Sequence, residues 1–453
     1  MKLVFKALWL SSNTCFFNDK TNQFSTNIND VIDYKNIEFD HNGLVDYLDF
    51  GYSVFGQTPL KDIKFLRPSQ SLYQDISGNL IVKKDEDSII DQLNMGFCNP
   101  SIFFELFQNW INIWHQSHSQ DKILIPTSGG YDSRLLNYFY PDKSKIIACT
   151  YGISNKQHLS FEVINAKAIC KILGIDWMQI QLGKFHQYIP DWNSLFGPSV
   201  HAHGMYQWEF FTKIKDKTGV LPMLSGIAGD LWAGAYDTIK PKCPNDLVSL
   251  GLNHGIKADS SACFITSDYR NREIEFDTEK ERLVDPRYRI MYLTQTKMIL
   301  LSYLLSVPRS IGFDPDSPFI DLNIVLSMLR ISESQKKNRK WQTDFMVSHG
   351  LDVEKDKIAR SFMNDLNLTG LQLQPLPPLN NCLKEIFKSD YIDWINRNIN
   401  KRNNIKLLRD SVYRNKIAWA ILRRMNISNT TVTAYNAYLL LKPLEFILMN
   451  RES

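Results

Sequence analysis

Ile123-Leu124-Ile125-Pro126-Thr127-Ser128-Gly129-Gly130-Tyr131-Asp132-Ser133 decides how this chain reads. A short apolar run meets a Ser-Gly-Gly turn, and Ser133 to Tyr140 then suits a helix. The same alternation continues. Lys145 to Tyr151 holds a second apolar run, and Ser160 to Leu173 predicts a second helix. Ser160 suits its N-cap, Glu162 its first turn and Gly174 its stop. Trp177 to Leu182 and Val220 to Leu224 predict further strands. Strands alternating with helices imply an α/β fold, a parallel sheet with crossover helices on both faces.

The flanks differ in character. Residues 1 to about 95 look β-rich, with turn signals at Asn42-Gly43, Pro68 and Ser77-Gly78-Asn79. Lys83-Lys84-Asp85-Glu86-Asp87 predicts a surface turn. Ser101 to His118 carries apolar residues at helical spacing, and 290–365 reads as mostly helical. Leu371 to Leu379, with Pro375, Pro377 and Pro378, predicts a linker, and a helical extension follows. The expected divisions are 1–98, 99–365 and 366–453. No internal repeat is visible.

Composition removes several classes. With 44% apolar and 22% charged residues, the 453-residue chain reads as a globular protein. Lys and Arg total 52 against 48 for Asp and Glu, a net +4 too dispersed for a nucleic-acid partner. The seven cysteines lie far apart without a CxxC pair, so neither a zinc site nor a redox dithiol is expected. The start shows no signal-peptide pattern, and the run Met298 to Val307 is too short to span a bilayer. The expectation is a cytoplasmic protein with no membrane partner.

The Ser-Gly-Gly turn carries chemistry. Glycine lets backbone approach an oxyanion, and the amides of the following helix start point at it. Ser128 and Ser133 add hydroxyl donors. Asp132 would repel phosphate directly, but holds Mg²⁺ that phosphate then shares. A plain strand-to-helix turn accounts for Ser-Gly-Gly alone; the full SGGxDS string between strand and helix favours a nucleotide.

This string resembles the ATP-pyrophosphatase loop of the asparagine synthetase family, which splits ATP between the α and β phosphates. It is not a Walker loop. A second string, Ser225-Gly226-Ile227-Ala228-Gly229-Asp230-Leu231-Trp232-Ala233-Gly234-Ala235-Tyr236, is similar to that family's SGEGADELFGGY. Ser225, Gly226, Asp230, Gly234 and Tyr236 match, while Ile227 and Leu231 replace both glutamates. Ser317-Pro318-Phe319-Ile320-Asp321 resembles the R-x-PFLD segment, and Lys336, Lys337, Arg339 and Lys340 follow it as basic residues do in the family. Asp46 to Tyr52, Gln57 to Ile63 and Leu66-Arg67-Pro68 resemble the end of its glutaminase domain.

The resemblance implies an adenine nucleotide alpha hydrolase-like fold preceded by a β-rich glutaminase remnant. It implies an ATP- and Mg²⁺-dependent ligase that adenylates a small-molecule or peptide carboxylate and passes it to an amine donor. Ser128, Gly129, Gly130, Asp132, Ser133, Gly152, Ser225 and Gly226 are the expected nucleotide contacts. Asp132 and Asp230 are the expected metal ligands and, with Lys357, the catalytic set; Lys355 and Lys340 stand behind Lys357. The family's glutaminase uses an N-terminal cysteine; position 2 here is Lys2 and Cys15 is internal, so no glutamine hydrolysis is expected. A separate glutaminase is then a possible partner. The lost glutamates leave open a non-catalytic nucleotide-binding subunit. Sulfur transfer to tRNA, a third reading, would need a persulfide-carrying cysteine near the loop.

Overall fold

The computed structural model describes residues 1–10, 13–85, 89–236, 238–251, 255–355, 358, 360–399 and 430–451. The N-terminal part carries two three-stranded antiparallel sheets. One joins β1 (Lys2–Lys6), β5 (Gln70–Gln74) and β6 (Leu80–Lys84). The other joins β2 (Phe16–Asn18), β3 (Phe24–Ser25) and β4 (Ile63–Phe65). Asn42-Gly43 is not the expected turn. It lies in the first turn of helix α1 (His41–Phe50), because Asp40 accepts from the Gly43 N–H at 2.6 Å and caps that helix. Lys83 and Lys84 end β6, and the rest of the predicted surface turn, beyond Asp85, lies outside the described residues.

Helix α2 (Pro100–Ser117), capped by Asn99, leads into the central sheet. That sheet has five parallel strands: β7 (Ile123–Pro126), β8 (Ile146–Thr150), β9 (Asp176–Gln179), β10 (Pro222–Leu224) and β11 (Asp314–Asp316). Helix α3 (Tyr131–Phe139) links β7 to β8, and α4 (Phe161–Leu173) links β8 to β9. Helix α5 (Tyr206–Thr218) returns the chain to β10. Ser160 stands at the N-cap of α4, yet its hydroxyl bonds Ser154 rather than a helix amide. Gly174 closes α4 at φ +68, as its position predicts.

The spatial order is β11-β10-β7-β8-β9. The chain moves outward from β7 to β8 and β9, then returns to lay β10 on the other side of β7. With right-handed crossovers, that reversal sends the connecting helices to opposite faces. A crevice therefore opens between the loops that leave β7 and β10, at the carboxyl ends of the strands.

β11 is the strand the sequence hid. Asp314-Pro315-Asp316 has no apolar run, and proline suits only an edge strand, which is where it lies. After α6 (Gly229–Trp232) come the long helices α7 (Pro286–Leu301) and α8 (Tyr303–Ile311). The stretch Pro286–Ile311 is the one described segment long and apolar enough to cross a membrane, and 61% of its apolar window is buried in the fold. Helices α9 (Leu322–Leu329) and α10 (Lys340–Ser348) follow. The predicted linker begins later than expected, because helix Leu366–Leu373 occupies its first residues. Helices Ser389–Ile399 and Thr430–Arg451 form the described part of the C-terminal extension. One continuous core reaches from Leu10 through the sheet to Leu448.

Candidate nucleotide site at the strand reversal

The turn after β7 is shaped by what glycine lacks. Gly129 adopts φ +70, and a Cβ there would sit 2.5 Å from the Asn165 Cβ on α4. Gly130 holds the N-cap position of α3 and, having no side chain, offers the first amides of that helix no cap of its own. The Ser128 Oγ accepts from the Gly130 N–H at 3.3 Å, and the Ser133 Oγ donates to the Gly130 carbonyl at 3.0 Å. Serine hydroxyls, glycines and a helix start thus converge where an oxyanion is favoured.

Asp132 leaves α3 toward the turn after β10. That turn receives it because it too is built of glycines. A Cβ on Gly229 would lie 2.7 Å from the Asp132 Cγ, and one on Gly226 would lie 3.4 Å from its Cβ. Asp230 is the next residue, in the first turn of α6. Burial pushes the Asp132 carboxyl up to about 6; Arg339 opposes the shift and the nearby Asp230 charge adds to it. The two acids, 98 positions apart, lie near enough across the strand reversal for the Asp230 charge to act on Asp132. Ser225 anchors this second turn: its N–H donates to the Asp316 carbonyl at 2.8 Å, and its Oγ accepts from the Ile227 N–H at 3.3 Å.

The cation brought to Asp132 is Arg339, whose Nη2 donates to the carboxylate at 3.1 Å. Asn338 and Arg339 both take left-handed backbone, φ 54 and φ 56, a strained pair of non-glycine residues. Two contacts hold the kink. Trp341 Nε1 donates to the Ala233 carbonyl at 3.1 Å, and Gly234 approaches Lys336 so closely that a Cβ would fall 2.6 Å from its carbonyl oxygen. Arg339 also lies over the Tyr131 ring, 4.8 Å from its centroid. A cavity of about 320 Å³ opens here, lined by Gly129, Gly130, Tyr131, Arg134, Arg339 and Arg360 among others.

Asp230 has its own neighbours. Tyr236 donates to its Oδ2 at 3.2 Å, and that hydroxyl is pushed up to about 12, chiefly by the Asp230 charge. Lys297 on α7 is drawn down to about 8 by burial, opposed by Asp230. Neither Arg339 nor Lys297 was singled out for this position. Arg339 stood unranked in a basic run, and Lys297 sits in an apolar helix with no local signal; only tertiary packing brings them in.

Of the remaining expected residues, Gly152 is needed by its own loop, since a Cβ there would fall 2.3 Å from the Gln157 carbonyl oxygen. Lys357 lies outside the described residues. Lys355 pairs with Asp352 at 3.0 Å and Lys340 with Asp344, both at exposed positions. In the segment from His201, the His201 Nδ1 accepts from the His203 N–H at 3.1 Å, a capping contact. Ile227 is buried in the core and Leu231 packs against it, so neither offers a polar group to the crevice.

Among the described residues no three His, Cys, Asp or Glu side chains are grouped to hold a metal. Two neighbouring carboxylates nevertheless suit Mg²⁺, which takes one or two protein carboxylates and completes its octahedron with phosphate oxygens and water. No protein-family model and no curated protein matches the chain.

Proposed function

We propose that the chain is an ATP-dependent carboxylate–amine ligase of the asparagine synthetase type, AMP-forming and without glutaminase activity of its own. The observation that supports this reading is that Asp132, in the helix start after the glycine turn, packs against Gly226 and Gly229 and lies within reach of the Asp230 charge at the strand reversal. In this reading the central sheet is adenine nucleotide alpha hydrolase-like, and the N-terminal sheets are the remnant of a glutaminase domain.

The amides after Gly130 and the Ser128 and Ser133 hydroxyls bind the leaving pyrophosphate. Asp132 and Asp230 would hold Mg²⁺, which would supply charge neutralisation on the phosphates. Arg339 supplies the cation sought among the lysines, and it leaves Asp132 for a phosphate oxygen when the nucleotide binds. The protein positions a substrate carboxylate in line with the α-phosphorus, and an amine then attacks the acyl-adenylate and releases AMP. The thiol of Cys149, pushed up to about 12 by burial, is no thiolate nucleophile at neutral pH, which weighs against sulfur transfer.

The apolar Ile227 and Leu231 favour a second reading, a nucleotide-binding subunit without catalysis. ATP–pyrophosphate exchange over a panel of carboxylic acids, followed by mass spectrometry of AMP and amide, separates the two. Acid-dependent exchange supports the ligase. Tight binding of MgATP with no exchange across the panel supports the inert subunit.

A further inference from the structure

Glu162 is a carboxylate that the proposed chemistry does not use. It stands in the first turn of α4 and is only 8% exposed. Its Oε2 has no hydrogen-bond partner among the described residues. Leaving a buried carboxylate oxygen unsatisfied is unfavourable, so such a group calls for a donor. Burial pushes this carboxyl up to about 7, opposed only by its own backbone N–H.

Its place in the fold says what the donor belongs to. α4 follows β8 and runs back along the sheet, so its first turn lies at the carboxyl ends of the strands. One turn further on, the backbone at Asn165 and Ala166 touches Gly129, whose missing Cβ would lie 2.7 Å from the Ala166 N. Residues four apart share a helix face, so Glu162 sits on the face of Ala166, one turn beyond the phosphate turn. Phe161 and Asn165, round the helix, line the cavity beside that turn. On the strand side lies Tyr151, the residue after β8, whose hydroxyl is pushed well up chiefly by burial, with a small addition from the nearby Glu162 charge. The Tyr151 hydroxyl in turn accepts from Gln207 Nε2 at 3.3 Å.

A carboxylate one helical turn from a phosphate turn repels phosphate and attracts hydroxyl donors. The part of a nucleotide that lies one sugar's length from its phosphates and carries such donors is the ribose. We propose that Glu162 is the nucleoside-recognising residue of this site, accepting hydrogen bonds from the ribose hydroxyls of the nucleotide whose phosphates lie on Ser128 to Ser133. This rests on the nucleotide reading above and adds to it a preference for ribonucleotides over deoxyribonucleotides.

The test is calorimetric titration of the full chain with magnesium pyrophosphate, MgATP, Mg-2′-deoxy-ATP and Mg-3′-deoxy-ATP, in wild type, Glu162→Ala and Glu162→Gln. The wild type should bind ATP about tenfold more tightly than at least one deoxy analogue, the worth of one hydrogen bond to a charged group. Glu162→Ala should lose that preference and about tenfold in ATP affinity while binding pyrophosphate as before. Glu162→Gln, which keeps an acceptor, should fall between them and guards against a folding defect in the alanine variant. A ribose preference that survives in Glu162→Ala overturns the proposal, as does equal loss of pyrophosphate and ATP affinity. A wild type that binds neither pyrophosphate nor ATP overturns the nucleotide reading itself.

Discussion

Each residue of the crevice is set by what surrounds it. Asp132→Ala should lower pyrophosphate release by at least a hundredfold, the usual cost of removing one placed charge-stabilising group; a stopped assay of pyrophosphate release reads this directly. Gly129→Ala should fail differently. The left-handed φ of +70 costs a non-glycine residue about 1–2 kcal/mol, and its Cβ would meet Asn165 at 2.5 Å. Urea denaturation should show a loss of about 2 kcal/mol or more; Ser128→Ala, which removes only a hydroxyl at an exposed turn, should stay within about 1 kcal/mol. Equal midpoints for the two variants would mean that the close approach of α4 is not what requires the glycine.

At the scale of elements, the sheet was legible wherever apolar runs met turn residues. Strands at 123, 146, 176 and 222 and the two helices between the first three follow from periodicity and from Gly174; α5, ahead of the fourth, does not. β11 was not legible, because an edge strand of Asp-Pro-Asp has neither alternation nor β-propensity and forms only on the exposed side of β10. Asn42-Gly43 misled because the pair is a turn signal only where no N-cap precedes it, and Asp40 does. In the site, the phosphate turn and Asp230 were readable as strings. Arg339 was not, since its approach depends on a kink at Asn338 held by Trp341 and Gly234, contacts more than a hundred positions apart.

Across the whole molecule, buried charge and one histidine tie the flanks to the sheet domain. Arg272 donates to Asp46 and to Asp49 of α1, at 2.6 Å each, and burial pushes Asp46 up to about 6 in spite of it. Arg272→Met leaves Asp46 buried without its cation, while Asp49 keeps Ser260, and should cost about 3–5 kcal/mol by chemical denaturation. His186 joins the two ends of the C-terminal region: its ring nitrogens meet the Gln374 carbonyl at 2.7 Å and the Tyr435 hydroxyl at 2.9 Å. Burial draws it down from 6.5 to about 4, so the unfolded chain takes up the proton first. Its contribution is full above pH 6.5 and is lost as pH falls through about 4. His186→Gln should flatten that part of the acid stability profile, worth about 3 kcal/mol in the wild type.

All of this turns on two acids sharing a cation above a glycine turn. The most direct measurement is the affinity of the full chain for pyrophosphate with and without Mg²⁺, in wild type and Asp132→Ala, by calorimetry. Binding that requires Mg²⁺ and falls at least a hundredfold in Asp132→Ala is the predicted result. No binding by the wild type, or binding that neither Mg²⁺ nor Asp132→Ala alters, would contradict it.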